Sequence, residues 1–159
     1  MRATQWLKDD HATVQRMLGE LAALTRRDGD ARQALVDEIA DALDVHTTLE
    51  EELFYPALER VSGRVATAHA QHAEIERQLD DLAGRSPNSE HWEHSFAALR
   101  DAIVRHVDAE EAVLFVDADR LGAEELERLG EAMQQRHEAL SSTAQRALRK
   151  IRQLGRKTG

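Results

Sequence analysis

The chain has 159 residues, a formal net charge of −9 and no cysteine. That length suffices for one packed domain without staples, and the acidic balance argues against a general nucleic-acid partner. Without thiols there is neither a disulfide nor a thiolate metal site, so a metal would have to be held by His and carboxylates. Aromatic residues are only 4% of the chain while charged ones are 32%, which favours amphipathic helices over sheets. The first eleven residues carry charges where a signal peptide needs an apolar core, and no run approaches the ~18 apolar residues of a membrane span. The expected setting is therefore cytoplasmic, with no membrane partner.

In chain order, a first helix is expected from about Ala3 to Arg26, with Leu7, Val14, Leu18 and Leu21 on one stripe and Met17 beside it. Asp28-Gly29-Asp30 breaks it and can cap a second helix reaching about Arg60, where Pro56 can kink the last turn. Ser62-Gly63 closes that helix, and a third covers about Arg64 to Leu82. The stretch Gly84-Arg85-Ser86-Pro87-Asn88-Ser89 is the clearest loop; Glu90 and Glu93 then favour a fourth helix reaching about Asp117. After Gly122 a fifth helix is expected over about Ala123 to Leu154, carrying Leu126, Leu129, Met133, Leu140, Leu148 and Ile151. From Arg146 to Gly159 there are six Lys or Arg and no acid, so the net −9 is the balance of +6 there and −15 before it. Such a basic tail suits a solvated helix C-terminus or a partner-binding segment. Short turns between four helices imply antiparallel neighbours. The fold class is thus all-α: an up-down-up-down antiparallel four-helix bundle over residues 1–120, with an additional C-terminal fifth helix and basic tail over 121–159 packed on it.

The chain also repeats itself at an offset of about 60 residues. His11-Ala-Thr-Val-Gln-Arg-Met-Leu18 matches His72-Ala-Glu-Ile-Glu-Arg-Gln-Leu79, and His46-Thr-Thr-Leu-Glu-Glu-Glu-Leu-Phe-Tyr55 matches His106-Val-Asp-Ala-Glu-Glu-Ala-Val-Leu-Phe115. Residues i and i+4 lie ~40° apart around a helix and ~6 Å apart along it. His46 with Glu50, and His106 with Glu110, thus each aim an imidazole and a carboxylate at a common point. His11 and His46 both lie about 17 residues from the first turn, some 26 Å at ~1.5 Å per residue, so they are level. Counting from the other turns brings His72 and His106 to the same height. One layer would then hold His11, His46, Glu50, His72, His106 and Glu110. Buried carboxylates without partners cost several kcal/mol, so this layer calls for metal. Imidazole and carboxylate without sulfur suit iron, manganese or zinc, and six donors are too many for one ion, which points to a dinuclear site. The order His-x-x-x-Glu differs from the Glu-x-x-His of ferritin-like di-iron bundles.

At this point the sequence resembles the hemerythrin-like (HHE cation-binding) family. The matching motifs are Asp10-His11-Ala-Thr-Val14, His46 through Glu50-Glu51 to Pro56, His72 to Ile75, and His106 to Glu110-Glu111. By this resemblance the cofactor is two iron ions with an oxo or hydroxo bridge. His11 and His46 would hold one iron and His72 and His106 the other, with Glu50 and Glu110 bridging. Two departures stand out. The oxygen-carrying members have a further His one turn before the third-helix ligand, where this chain has Ala68, and the second copy has Val116-Asp117 in place of the proline. His69, three residues before His72, could be an additional ligand or a residue outside the ligands at the rim. Phe54 is expected to wall the metal pocket, whereas Tyr55 points ~140° from Glu50 on an ideal helix and is expected to face elsewhere.

The expected function is reaction with a small oxidant, foremost hydrogen peroxide in a catalase-like reaction, with dioxygen or nitric oxide as other small-molecule partners. The alternative is a non-enzymatic iron or oxygen sensor, or an oxygen-binding protein, signalling through the C-terminal helix. A monomer or weak homodimer is expected.

Overall fold

A computed structural model describes the backbone of residues 1–158 and the side chains of 1–143 and 145–155. Among these residues every regular element is helical, as the periodicity predicts. Helix α1 spans Ala3–Ala23 and α2 spans Gly29–Leu49. A five-residue π-helical turn, Glu50–Phe54, leads without a break into α3, Tyr55–Leu58. Helix α4 is Val65–Ala83 and α5 is Glu90–Ala109; a second π-turn, Glu110–Leu114, then leads into α6, Phe115–Ala118. Last come α7, Ala123–Leu140, and α8, Thr143–Thr158.

Local chemistry sets these boundaries. Thr25 and Asp28 form a reciprocal capping box ahead of α2, and Ser89 caps α5 by accepting from the Trp92 amide. Buried Arg32 lies over the Trp92 ring at 4.3 Å and donates to the carbonyls of Leu24 and Pro87, tying the two turns at that end together. Gly122, at φ 86°, makes the turn into α7, a conformation that favours glycine.

The expected single helix over 123–154 is two helices, a correction. The chain leaves α7 at Ser141, and the Ser142 hydroxyl accepts from the Gln145 amide at 3.4 Å to start α8. Consecutive serines favour such a break because their side chains satisfy backbone groups that a continuing helix would use. Of the apolar residues that this region carries, Leu126, Met133 and Leu140 are buried, whereas Leu148 and Ile151 are 55% and 64% exposed.

Two apolar clusters fill the interior. One gathers Val14, Leu18, Leu21, Ile39, Leu43, Ile75, Leu79, Phe96, Leu99 and Ile103. The other gathers Leu7, Leu49, Phe54, Tyr55, Leu58, Ala68, Leu114, Phe115, Leu126 and Met133. Along α1, α2 and α4 the histidine falls between residues of the first cluster and residues of the second, and on the α5–α6 run His106 lies between Ile103 of the first and Leu114 of the second, so a polar layer divides the core.

Candidate metal centre

All six side chains singled out by the repeat are buried and meet in that layer: His11, His46, Glu50, His72, His106 and Glu110. They form two donor groups. His11, His46, Glu50 and Glu110 make one, Glu50, His72 and His106 the other, with Glu50 common to both.

The outer edge of each ring is tied down. His46 Nδ1 donates to Asp10 at 2.6 Å, His11 Nδ1 to Glu111 at 2.9 Å, His72 Nδ1 to Glu51 at 2.8 Å and His106 Nδ1 to the Gln71 side-chain oxygen at 2.8 Å. The repeat governs these partners too. The residue before one histidine (Asp10, Gln71) holds the histidine of the following helix, and the residue after each glutamate (Glu51, Glu111) holds a histidine across the layer. Each partner holds the proton on Nδ1 and aims Nε2 inward, the nitrogen that binds metal once it carries no proton.

Inside, acceptor faces acceptor. His46 Nε2 is 3.1 Å from Glu50 Oε1, His72 Nε2 is 3.0 Å from Glu50 Oε2, and His11 and His106 Nε2 are 3.3 and 3.6 Å from Glu110 Oε2. His11 Nε2, Glu50 Oε1 and Glu110 Oε2 are buried without a hydrogen-bond partner. Lone pairs held this close repel unless a proton or a cation lies between them, and buried polar atoms are otherwise satisfied. The donor set therefore fits metal cations.

Titration behaviour expresses the same crowding. Burial disfavours charge on His46, yet Glu50 and Asp10 outweigh it and raise its pKa well above the usual histidine value. For Glu50 burial pushes upward, but His46 and His72 prevail and hold it well below the carboxylate range. Burial and the neighbouring Glu50 push Glu110 up to about 7. His106 is depressed to about 3 by burial, with the other histidines adding to it.

Tyr55 is the residue that sequence reasoning missed, and its expected outward orientation is wrong. Its hydroxyl donates to Glu110 Oε1 at 2.6 Å and lies 3.0 Å from His72 Nε2 and 3.3 Å from Glu50 Oε2. The cause is the π-turn. Tyr55 N–H bonds back five residues to the Glu50 carbonyl, so the two side chains stack as residues four apart do on an α-helix. Pro56 does not create the turn, because the second copy has the same turn with Val116 in that place. In that copy the position of Tyr55 is taken by Phe115, which stacks parallel on His11 with ring centres 5.7 Å apart. The repeat thus diverges inside the site, with a phenol beside one donor group and a plain ring beside the other.

Phe54, expected to wall the pocket, sits instead behind it, edge-on to Phe115 at 5.7 Å within the apolar cluster. The π-turn hands the wall to Tyr55. His69 belongs to neither donor group; 46% exposed, it lies 3.6 Å from Glu51 and edge-on to Tyr55. Ala68 is buried among apolar neighbours. His91 and His94 are exposed, while His137 is half-buried against Trp6.

A fold and a site of this kind define a cation-binding helical domain. The chain belongs to the hemerythrin family: the sequence profile of the Hemerythrin HHE cation binding domain matches residues 2–118. It is similar to the uncharacterised protein Rv2633c of Mycobacterium tuberculosis, with 30% identity over 151 residues, 94% of this chain and 93% of that one. The Mycobacterium bovis protein Mb2666c matches to the same extent. Among solved structures, the crystal structure of a hemerythrin HHE domain-containing protein from Mycobacterium kansasii, a homologue of Rv2633c, superposes with a TM-score of 0.76 at 27% identity. That match covers 94% of this chain and 98% of the other.

Proposed function

We propose that this chain is a non-haem di-iron protein that disproportionates hydrogen peroxide. In this reading residues 1–120 form the metal-binding four-helix unit and 121–159 the added C-terminal part. His11 and His46 with Glu50 and Glu110 would hold one iron, and His72 and His106 with Glu50 would hold the other. The observation that carries the reading is the pair of donor groups sharing Glu50, with buried acceptor atoms left without partners. Nitrogen and oxygen donors suit iron, manganese or zinc, and redox chemistry removes zinc. Bound there, an iron pair would supply the two-electron exchange that the reaction needs.

The protein's own residues supply the rest. The four Nδ1 partners keep the imidazoles turned inward, and the apolar clusters on both sides exclude water from the layer. Tyr55 and Glu110 share a proton at Glu110 Oε1, inside the layer. A cavity of about 300 Å³ on the α2/α4 face reaches His72, with Thr47, Thr48, Glu51 and His69 among its walls. Asp44, Glu51 and Glu76 give it an acidic lining that favours a neutral oxidant over an anion. In the overall reaction one peroxide gains two electrons and two protons and splits to two waters. The other loses two electrons and two protons to leave as dioxygen.

The test is metal analysis of the purified protein with peroxide and oxygen electrodes. We expect two irons per chain and dioxygen release at half the rate of peroxide loss. A stable, reversible dioxygen adduct with no peroxide turnover overturns the proposal.

Sensing is the second reading, and one contact favours it. Arg152 of α8 donates at 2.6 Å to Asp44, two residues before His46 on α2, so α8 rests on a metal-carrying helix. Hydrogen exchange in α8 that differs between oxidised and reduced protein supports this reading; identical exchange removes it.

A further inference from the structure

Helix α8 packs on the rest of the chain through its charged side. Arg149 is buried and donates to Asp41 and to the carbonyl of Leu140, while Arg152 donates to Asp44. At 3.6 residues per turn, Arg149 lies ~160° around the helix from Ile151. The opposite side is therefore turned outward. Leu148, Ile151 and Leu154 follow one another at three-residue steps along it and are 55%, 64% and 60% exposed. Among the described residues seven large hydrophobics are exposed, and three of them form this one stripe. An apolar stripe on a helix this charged marks an interaction surface.

Charge decides the occupant. Lys150 and Arg152 stand one residue either side of Ile151, ~100° away in each direction, so both edges of the stripe are basic. Both are exposed. No acid occurs between Arg146 and the end of the chain. A second copy of α8 laid on the same stripe would bring basic edge against basic edge. An apolar centre between two cationic edges instead matches a surface with anions outside and hydrocarbon beneath. The acids that face the helix, Asp41 and Asp44 on α2 and Glu76 and Asp80 on α4, are on its bundle side, where Arg149 and Arg152 engage the α2 pair.

We propose that α8 is an amphipathic helix that lies on anionic lipid membranes. Leu148, Ile151 and Leu154 enter the boundary between headgroups and acyl chains, and Lys150 reaches the lipid phosphates. The expectation of no membrane partner came from the lack of an apolar span. Among the described residues no helix is long and apolar enough to cross a membrane, but that has no bearing on a helix lying in the surface plane. The proposal is independent of the metal reading.

The experiment is co-sedimentation of the full chain, as purified, with vesicles of phosphatidylcholine alone and of phosphatidylcholine mixed with phosphatidylglycerol. Binding is expected only to the mixed vesicles and should fall as salt rises. Ile151→Asp should abolish it, and Lys150→Glu should weaken it about tenfold, since each basic residue near an anionic surface adds to the attraction. Both positions are exposed, so iron content and helicity should match the parent. No binding to the mixed vesicles overturns the proposal, as does equal binding to the neutral ones or Ile151→Asp binding like the parent. Sedimentation equilibrium covers the other occupant: a dimeric parent and a monomeric Ile151→Asp would assign the stripe to a second copy and overturn it too.

Discussion

Glu50 and Glu110 are equivalents in the repeat, yet their surroundings differ. Glu50 offers one oxygen to each donor group, whereas Glu110 Oε1 is occupied by the Tyr55 hydroxyl. Glu50→Ala should therefore lose most of the bound iron, Glu110→Ala a smaller share, and His69→Ala none, as read by iron-to-protein ratio. Equal loss in the two glutamate variants would mean that Tyr55 gives up its hold when metal binds. Proton uptake gives a second measurement at this scale. Neighbouring carboxylates raise the pKa of His46 well above the usual histidine value, and burial with Glu50 pushes Glu110 up to about 7, so near neutral pH the metal-free layer holds protons that metal must displace. The sign is fixed: metal affinity falls as pH drops through about 7, where Glu110 takes up its proton, and iron loading in weak buffer acidifies the solution. A pH-independent affinity over that range would contradict it. The six donors were legible in the sequence because spacing of four and a repeat both act locally. Tyr55 was not, because a helical wheel drawn at ~100° per residue turns it away and nothing in the local sequence announces a π-turn.

Element boundaries show the same division between local and tertiary information. Caps, the Gly84–Ser89 loop and the apolar stripes placed α1, α4 and the continuous runs α2–α3 and α5–α6 to within a few residues, since each boundary is set by nearby side chains, while the π-turns inside those runs were not foreseen. The apolar period of α8 was equally legible, but its orientation was not. Periodicity reports that a helix has an apolar side, whereas the direction of that side is set here by Arg149 and Arg152 meeting Asp41 and Asp44 more than a hundred positions away. Gly130 is a comparable case. It reads as a weak point in α7, but it is buried where the first residues of the chain cross the helix, and a Cβ there would run into the Met1 carbonyl and the backbone at Arg2 and Ala3. Gly130→Ala raises helix propensity and would stabilise an isolated α7. In this fold the clash wins, and we expect a loss of about 1–3 kcal/mol in denaturant unfolding with iron content unchanged. A gain in stability would show that the N-terminal segment is free to move aside.

At the scale of the whole molecule, the polar layer lies between two apolar cores, so its cost is borne by the fold as a unit. Without metal, the layer keeps its charges balanced by protons: His46 is held charged beside ionised Glu50, and Glu110 is pushed toward its neutral form. That compensation, together with the intact apolar clusters, should keep the metal-free chain helical. It does not supply partners for His11 Nε2 or for the free oxygens of Glu50 and Glu110, whereas bound cations would. Ligands that bind only the folded state stabilise it by mass action, about 4 kcal/mol when free metal is a thousandfold above its dissociation constant. For a domain of this size each kcal/mol moves the midpoint by about 2–4 °C. Iron removal should therefore lower the melting temperature by about 10 °C while far-ultraviolet circular dichroism at room temperature barely changes. Calorimetry on iron-loaded, zinc-loaded and metal-free protein separates the structural part of this from the chemistry. Zinc should restore most of the melting temperature, because it satisfies the same nitrogen and oxygen donors, but none of the peroxide turnover, because it has no redox change to offer. Coincident melting curves with and without metal would mean that the six donors are satisfied by protons alone and that the layer is not a metal site.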